Sequence, residues 1–177
     1  MKITREWAMP NKNTFSIKPI TELINRYNSH DLYSIDPFAN QNRLATKTND
    51  LDPQFDTDHH LEATDFLDMF NSESVDLVFF DPPYSPTQVV QCYKKLGRTV
   101  DTTSTSMSYW GNLKDEVARV VKVGGVVISC GWNTNGIGKK RGFEIIEILL
   151  VAHGGGRHDT NITVDKKLQQ TLERRFC

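Results

Sequence analysis

Cysteine is scarce in this 177-residue chain, and its three copies, Cys92, Cys130 and Cys177, are odd in number and far apart. That spacing forms neither a disulfide framework nor a metal-ligand pattern, and it suits a reducing cytoplasm. His59 and His60 stand near acidic residues, but no third ligand follows at regular spacing, so no metal is expected and they read as solvated histidines before a helix. No apolar run is long enough to span a bilayer, and Met1 to Asn13 is polar and mixed in charge, so neither a secretory leader nor a membrane partner is expected. An excess of positive charge is also missing. With a formal net charge of −1, any contact with a polyanion must rest on local basic patches. Length and hydrophobic content fit one domain over residues 1–177, with residues 1–14 expected as a loose arm anchored by Trp7.

What is present is an alternation of strand and helix signals. Ile17, Ile20, Leu23, Ile24 and Tyr27 recur at helical spacing, with Ser16 as the expected N-cap. Leu32 to Ile35 reads as a strand stopped by Asp36-Pro37, and Thr46 to Asn49 as a second, weak one ending at Asp50. A helix is expected over Leu61 to Phe70, and Val75 to Phe80 is the near-continuous apolar run of a buried parallel strand. A further helix follows from Thr87 to Leu96. Thr99 to Ser108 is rich in Thr and Ser and without a period, so it reads as an exposed loop. Leu113 to Val123 is amphipathic and stops at Gly124-Gly125 before the strand Val126 to Ser129. Ile145 to Ala152 and Asn161 to Val164 flank Gly154-Gly155-Gly156 as an antiparallel hairpin. The expected fold is a three-layer α/β sheet, mostly parallel, with a terminal hairpin. Ligands then bind at the carboxyl ends of the strands, where Asp36, Asp50, Asp65 and Asp81 fall.

The chemistry concentrates in Asp81-Pro82-Pro83-Tyr84, directly after the apolar strand. An amino group conjugated to a ring is a poor nucleophile because its lone pair is delocalised. A carboxylate and a backbone carbonyl that accept its two hydrogens draw the nitrogen towards a tetrahedral shape. Two prolines fix that carbonyl and offer no competing N–H, and the aromatic that follows can stack on a base swung out of a duplex. Read blandly, the same four residues are only a strand-ending turn. Lys139-Lys140-Arg141, between Gly138 and Gly142, suits phosphate contact as well as it suits a solvated loop. Lys94, Lys95 and Arg98 read as a solvated helix face, and Lys166, Lys167, Arg174 and Arg175 as a basic tail.

With these residues in place the sequence resembles the amino-methyltransferases of DNA, whose mark is D/N/S-P-P-Y/F and whose adenine-N6 members usually carry Asp. The resemblance covers most of the chain. It implies a Rossmann-like class I methyltransferase fold, S-adenosylmethionine as cofactor, DNA as partner and N6 of adenine as target. Asp81, Pro82, Pro83 and Tyr84 are then the catalytic tetrad, with Asp81 also touching the cofactor. Asp50 in Asn49-Asp50-Leu51-Asp52-Pro53 resembles the carboxylate that holds the cofactor ribose, Asp65 the one that accepts from its adenine, and Lys18 the element beside its methionine part. Asp36-Pro37-Phe38-Ala39-Asn40 resembles the cofactor loop of short phage-encoded adenine methylases, which places Asp36, Phe38 and Ala39 at the cofactor. The family loop is richer in glycine. Asn40 and Asn42 are an intelligible substitute, since Asn tolerates the left-handed region, or else the mark of a lost site. Only Gly97 to Trp110 and Trp132 to Gly142 are spare for target recognition, so sequence specificity is slight, very short or supplied by a partner. A catalytically silent protein that binds nucleic acid or a host factor is the rival reading, and an RNA or small-molecule methyltransferase the rival within the enzymes.

Overall fold

The structure is a computed structural model that describes residues 1–99 and 107–168. Seven strands form one sheet in the order β1-β6-β7-β5-β4-β2-β3, in which β1 is Lys2–Trp7, β2 Ser34–Asp36, β3 Lys47–Thr48, β4 Val75–Phe80, β5 Val121–Gly131, β6 Phe143–Ala152 and β7 Thr160–Lys167. Only β7 runs against its neighbours; the other pairings are parallel. Among the described residues there are four α-helices: α1 Lys18–Tyr27, α2 Ala63–Asp68, α3 Pro86–Lys95 and α4 Met107–Val120.

Alternation along β4 divides the core. Val78 and Phe80 pack on one face of the sheet with Phe66 and Leu67 of α2 and Leu113 and Val117 of α4. Leu77 and Phe79 point to the other face, against Phe15 and against Ile20, Leu23 and Ile24 of α1. The apolar run of β4 thus serves two cores at once, as a central parallel strand must. Among the described residues no helix is long and apolar enough to cross a membrane.

Several elements differ from their sequence reading. The expected loose arm of residues 1–14 contains β1, paired in parallel with Glu147 to Ala152 of β6 at the sheet edge. Five of its six residues are exposed, so it lacks an apolar face that would betray it in the sequence. Helix α1 is capped at Ile17, not Ser16, because Ser16 belongs to a 3-10 turn over Thr14–Ser16. Gly124-Gly125 does not separate a helix from a strand. Helix α4 ends earlier, at Val120, and β5 begins at once and bulges through the glycine pair, its register on β4 jumping from Val121 to Val126 while β4 advances from Val75 to Leu77. Lys167, expected in a solvated tail, is buried, and its ammonium donates to the Ala118 and Val121 carbonyls at 2.8 Å each. Most of the Thr99 to Ser108 loop lies outside the described residues, and Met107 and Ser108 already belong to α4.

Candidate functional site

The strand order reverses between β2 and β4, the switch point at which open α/β sheets bind ligands. A cavity of about 390 Å³ opens there, within the size range of small-molecule sites. The chain leaves β2 at Asp36 and turns through Pro37 to Asn42, and Asn40 takes φ 52°, the left-handed conformation expected of an Asn standing in for glycine. Asn49 fastens this turn: its backbone carbonyl accepts from Ala39 N at 2.8 Å, and its side-chain amide donates to the Pro37 and Leu61 carbonyls at 3.1 and 3.0 Å. Asp50, next in line, accepts from Asn40 N at 2.9 Å through one oxygen and from Asp52 N at 2.9 Å through the other. Burial raises its pKa, against those two backbone bonds.

The tetrad forms the opposite wall. Asp81, Pro82, Pro83 and Tyr84 all line the cavity at the end of β4. Burial pushes the Asp81 carboxyl above the ordinary aspartate range, against hydrogen bonds from the Tyr84 and Thr14 hydroxyls. The phenol of Tyr84 donates to Asp81 Oδ1, and its ring meets Trp132 edge-on at 5.8 Å. Trp110 Nε1 donates to the Pro83 carbonyl at 3.0 Å, while the Pro82 carbonyl accepts no hydrogen bond among the described residues. Ser85 then caps α3 by accepting from Gln88 N, with Pro86 in the first turn, so the tetrad is held between a strand end and a capped helix.

The sequence-predicted residues sort unevenly around this cavity. Phe38, Asp50 and the tetrad line it. Ala39 is fully buried beneath the loop, and Asp36 is buried at the strand end, where Oδ1 accepts from Phe38 N at 3.0 Å and Oδ2 has no partner. Lys18 stands away from it: its side chain is 86% exposed and faces Glu22 of its own helix at 4.0 Å. Lys12, Asn13 and Thr14 line the cavity in its stead, delivered by the segment that follows β1. Asp65 is exposed on α2 and does not line the cavity; Glu62, just before that helix, does, and it accepts from the Tyr93 hydroxyl. Lys139 and Lys140 are exposed, but Arg141 is turned onto α4, where Nε meets Asp115 at 2.6 Å and the guanidinium also reaches the Gly111 and Ile137 carbonyls. Among the described residues no group of His, Cys, Asp and Glu could hold a metal. The Asn13 contribution has no local sequence signal, because its placement follows from the distant pairing of β1 with β6.

Burial also raises the pKa of Asp36, against the bond from Phe38 N and with help from Asp81 and Asp50. A carboxyl with a raised folded-state pKa favours the folded form most below about pH 3.9, its unfolded value, and that contribution is lost as pH rises towards the folded value. Asp36→Asn is therefore expected to flatten the fall of Tm between acid and neutral pH. Thermal melts across that range check it, and an unchanged slope would show that Asp36 does not titrate with folding.

No protein-family model matches the sequence, and no curated protein sequence is similar to it. The fold is nevertheless well populated among solved structures. TrmN from Thermus thermophilus superposes with a TM-score of 0.52 at 16% identity, covering 86% of this chain and 49% of that one, so the chain spans about half its length. The 1,6-didemethyltoxoflavin-N1-methyltransferase of Burkholderia thailandensis, solved with S-adenosylhomocysteine, gives 0.57 at 8% identity over 86% of this chain and 78% of that one. An rRNA methylase from Streptococcus thermophilus gives 0.54 at 12% identity, covering 92% and 100%. The seven-stranded sheet with its reversed β7 is the Rossmann-like class I methyltransferase fold.

Proposed function

We propose that this chain transfers a methyl group from S-adenosylmethionine to the exocyclic amine of a nucleobase, with N6 of adenine in DNA as the first reading. The observation that carries it is Asp81, with the unengaged Pro82 carbonyl beside it, at the wall of a cavity on the switch point. The cavity suits the cofactor on its own chemistry. Asp50 offers its carboxylate to ribose hydroxyls, and Asn13 Oδ1, buried and without a partner, offers an acceptor to an ammonium. The methionine sulfonium, when bound, supplies an electrophilic methyl group. The protein's part is alignment and exclusion of water. Asp81 and the Pro82 carbonyl accept the two amine hydrogens and aim the nitrogen lone pair, and Tyr84 lies against the ring. Because the ionised Asp81 carboxylate is the stronger acceptor and its protonated form adds a donor where the amine must donate, transfer is expected to decline as pH falls through its raised pKa. Lys139 and Lys140 are the phosphate contacts of this reading; Arg141 is committed to Asp115.

The direct test is labelled-methyl transfer to duplex DNA, single-stranded DNA and RNA, followed by nucleoside analysis. N6-methyladenine from DNA supports the first reading, and methylated RNA alone moves the substrate class. No product together with no cofactor affinity supports the silent binding protein. Within the cofactor site, Asp50→Ala is expected to weaken S-adenosylhomocysteine by about 1–3 kcal/mol, roughly 5- to 150-fold in Kd, as unpaired polar groups do. Calorimetric titration reads it directly, and parental affinity would move the ribose elsewhere.

A further inference from the structure

A second, smaller cavity of about 90 Å³ lies beyond the tetrad, and Pro82, Pro83 and Tyr84 form a wall common to both. Its other walls come from α4 and from the end of β5: Trp110 and Lys114 on one side, Gly131 to Asn133 on the other. Its floor is sheet. Ser129 of β5 stands opposite Phe80 of β4 and Thr163 of β7, so the three side chains share one face, and all three line this cavity. Thr163 is spoken for, since its hydroxyl donates to Asp165 at 2.8 Å. Ser129 is 8% exposed, and its Oγ is buried with no hydrogen-bond partner. A hydroxyl left in that state destabilises the fold, so a protein keeps one at a ligand site when the ligand satisfies it.

We propose that this cavity is the subsite for the acceptor ring and that Ser129 Oγ donates to a ring nitrogen flanking the reactive amine. The proposal rests on the amino-methyltransferase reading and adds to it which residues read the ring. Tyr84 and Trp132, whose rings meet edge-on at 5.8 Å, both line this cavity and offer aromatic surface to a planar heterocycle. Lys114, whose ammonium donates to the Gly136 carbonyl at 2.6 Å, brings a second donor to the lining, so the cavity selects rings rich in acceptors. Adenine, with ring nitrogens on both sides of its amine, meets that description, as does cytosine with one. A hydrocarbon ring does not.

The test is Ser129→Ala. It is read by quenching of the chain's tryptophan fluorescence with three probes: adenosine, a short adenine-containing DNA strand and the RNA strand of the same sequence. Removing an unsatisfied hydroxyl is expected to leave Tm unchanged or raise it by about 2–4 °C. Losing a hydrogen bond to the ring is expected to raise the Kd of the bound probe about tenfold. Which probe shows the change identifies the source of the ring. Equal Kd values for parent and variant, or a parent that binds none of the three, overturn the subsite. So does a variant whose Tm falls by several degrees, because Oγ then has a structural partner. S-adenosylhomocysteine is titrated in parallel. Its failure to bind the parent, with a Ser129-dependent probe affinity retained, removes the methyltransferase reading and keeps the ring site.

Discussion

Asp81→Ala is expected to lower methyl transfer by on the order of a hundredfold or more while S-adenosylhomocysteine binds within about twofold of the parent. The asymmetry follows from position. Asp81 borders the cavity at the end of β4 and is held by Tyr84 and Thr14, whereas Asp50 and Asn13 are the residues proposed for the cofactor's polar groups. On the proposed function, alanine takes away the acceptor that orients the amine and leaves the opposite wall intact. Asp81→Asn keeps the size and one acceptor oxygen but adds donors where the amine must donate, so it is expected to fall nearly as far. Single-turnover assays paired with calorimetry separate the two effects. A variant retaining a tenth of the parental rate would sink the assignment.

Phe15→Ala is expected to destabilise the protein by about 3–5 kcal/mol, the usual loss for removing a buried aromatic side chain. Phe15 is 2% exposed and meets Phe79 of β4 at 5.6 Å, tilted by 59°. It also anchors the 3-10 turn that carries Thr14 to Asp81 and sets Asn13 at the cavity. The same substitution should therefore weaken the cofactor by more than a remote core truncation of equal cost does. Denaturant melts give the first quantity, and comparison with Leu113→Ala, a large buried side chain on the opposite face of the sheet, gives the second. Equal cofactor affinity in both variants would detach the N-terminal segment from the site.

Both predictions turn on how much of the molecule is legible in the chain. β4 is read with its true bounds because a central parallel strand is buried on both faces and its apolar run needs no context. The tetrad is equally plain, since strand, prolines and aromatic are contiguous. Strand β1 is illegible for the opposite reason: it is an edge strand with charged residues outward, and its partner lies some 145 positions away, as Lys2 against Glu147 shows. From that one omission follow the misplaced Lys18 and the unrecognised Lys12, Asn13 and Thr14. Asp65 fails on helix phase. Helix α2 begins only at Ala63, so Glu62 meets the cavity and Asp65 faces solvent. Arg141 looks like a free cation until Gly138 and Gly142, at φ 107° and 84°, fold its 3-10 turn back onto α4.

The hydroxyl that Tyr84 lends to Asp81 bears on where selectivity is measured. At Oδ1 an arriving amine does not fill an empty acceptor; it replaces one hydrogen bond with another of like kind, and the exchange there is nearly neutral in the ground state. The gain comes only as the nitrogen pyramidalises and its hydrogens turn more acidic, which a phenol already in place does not reward. Discrimination among amines should then be carried by kcat, with KM almost indifferent to which amine is offered. A substitution that silences the phenol, Tyr84→Phe, would reverse that balance. It would tighten binding of every amine and narrow the difference between good and poor ones.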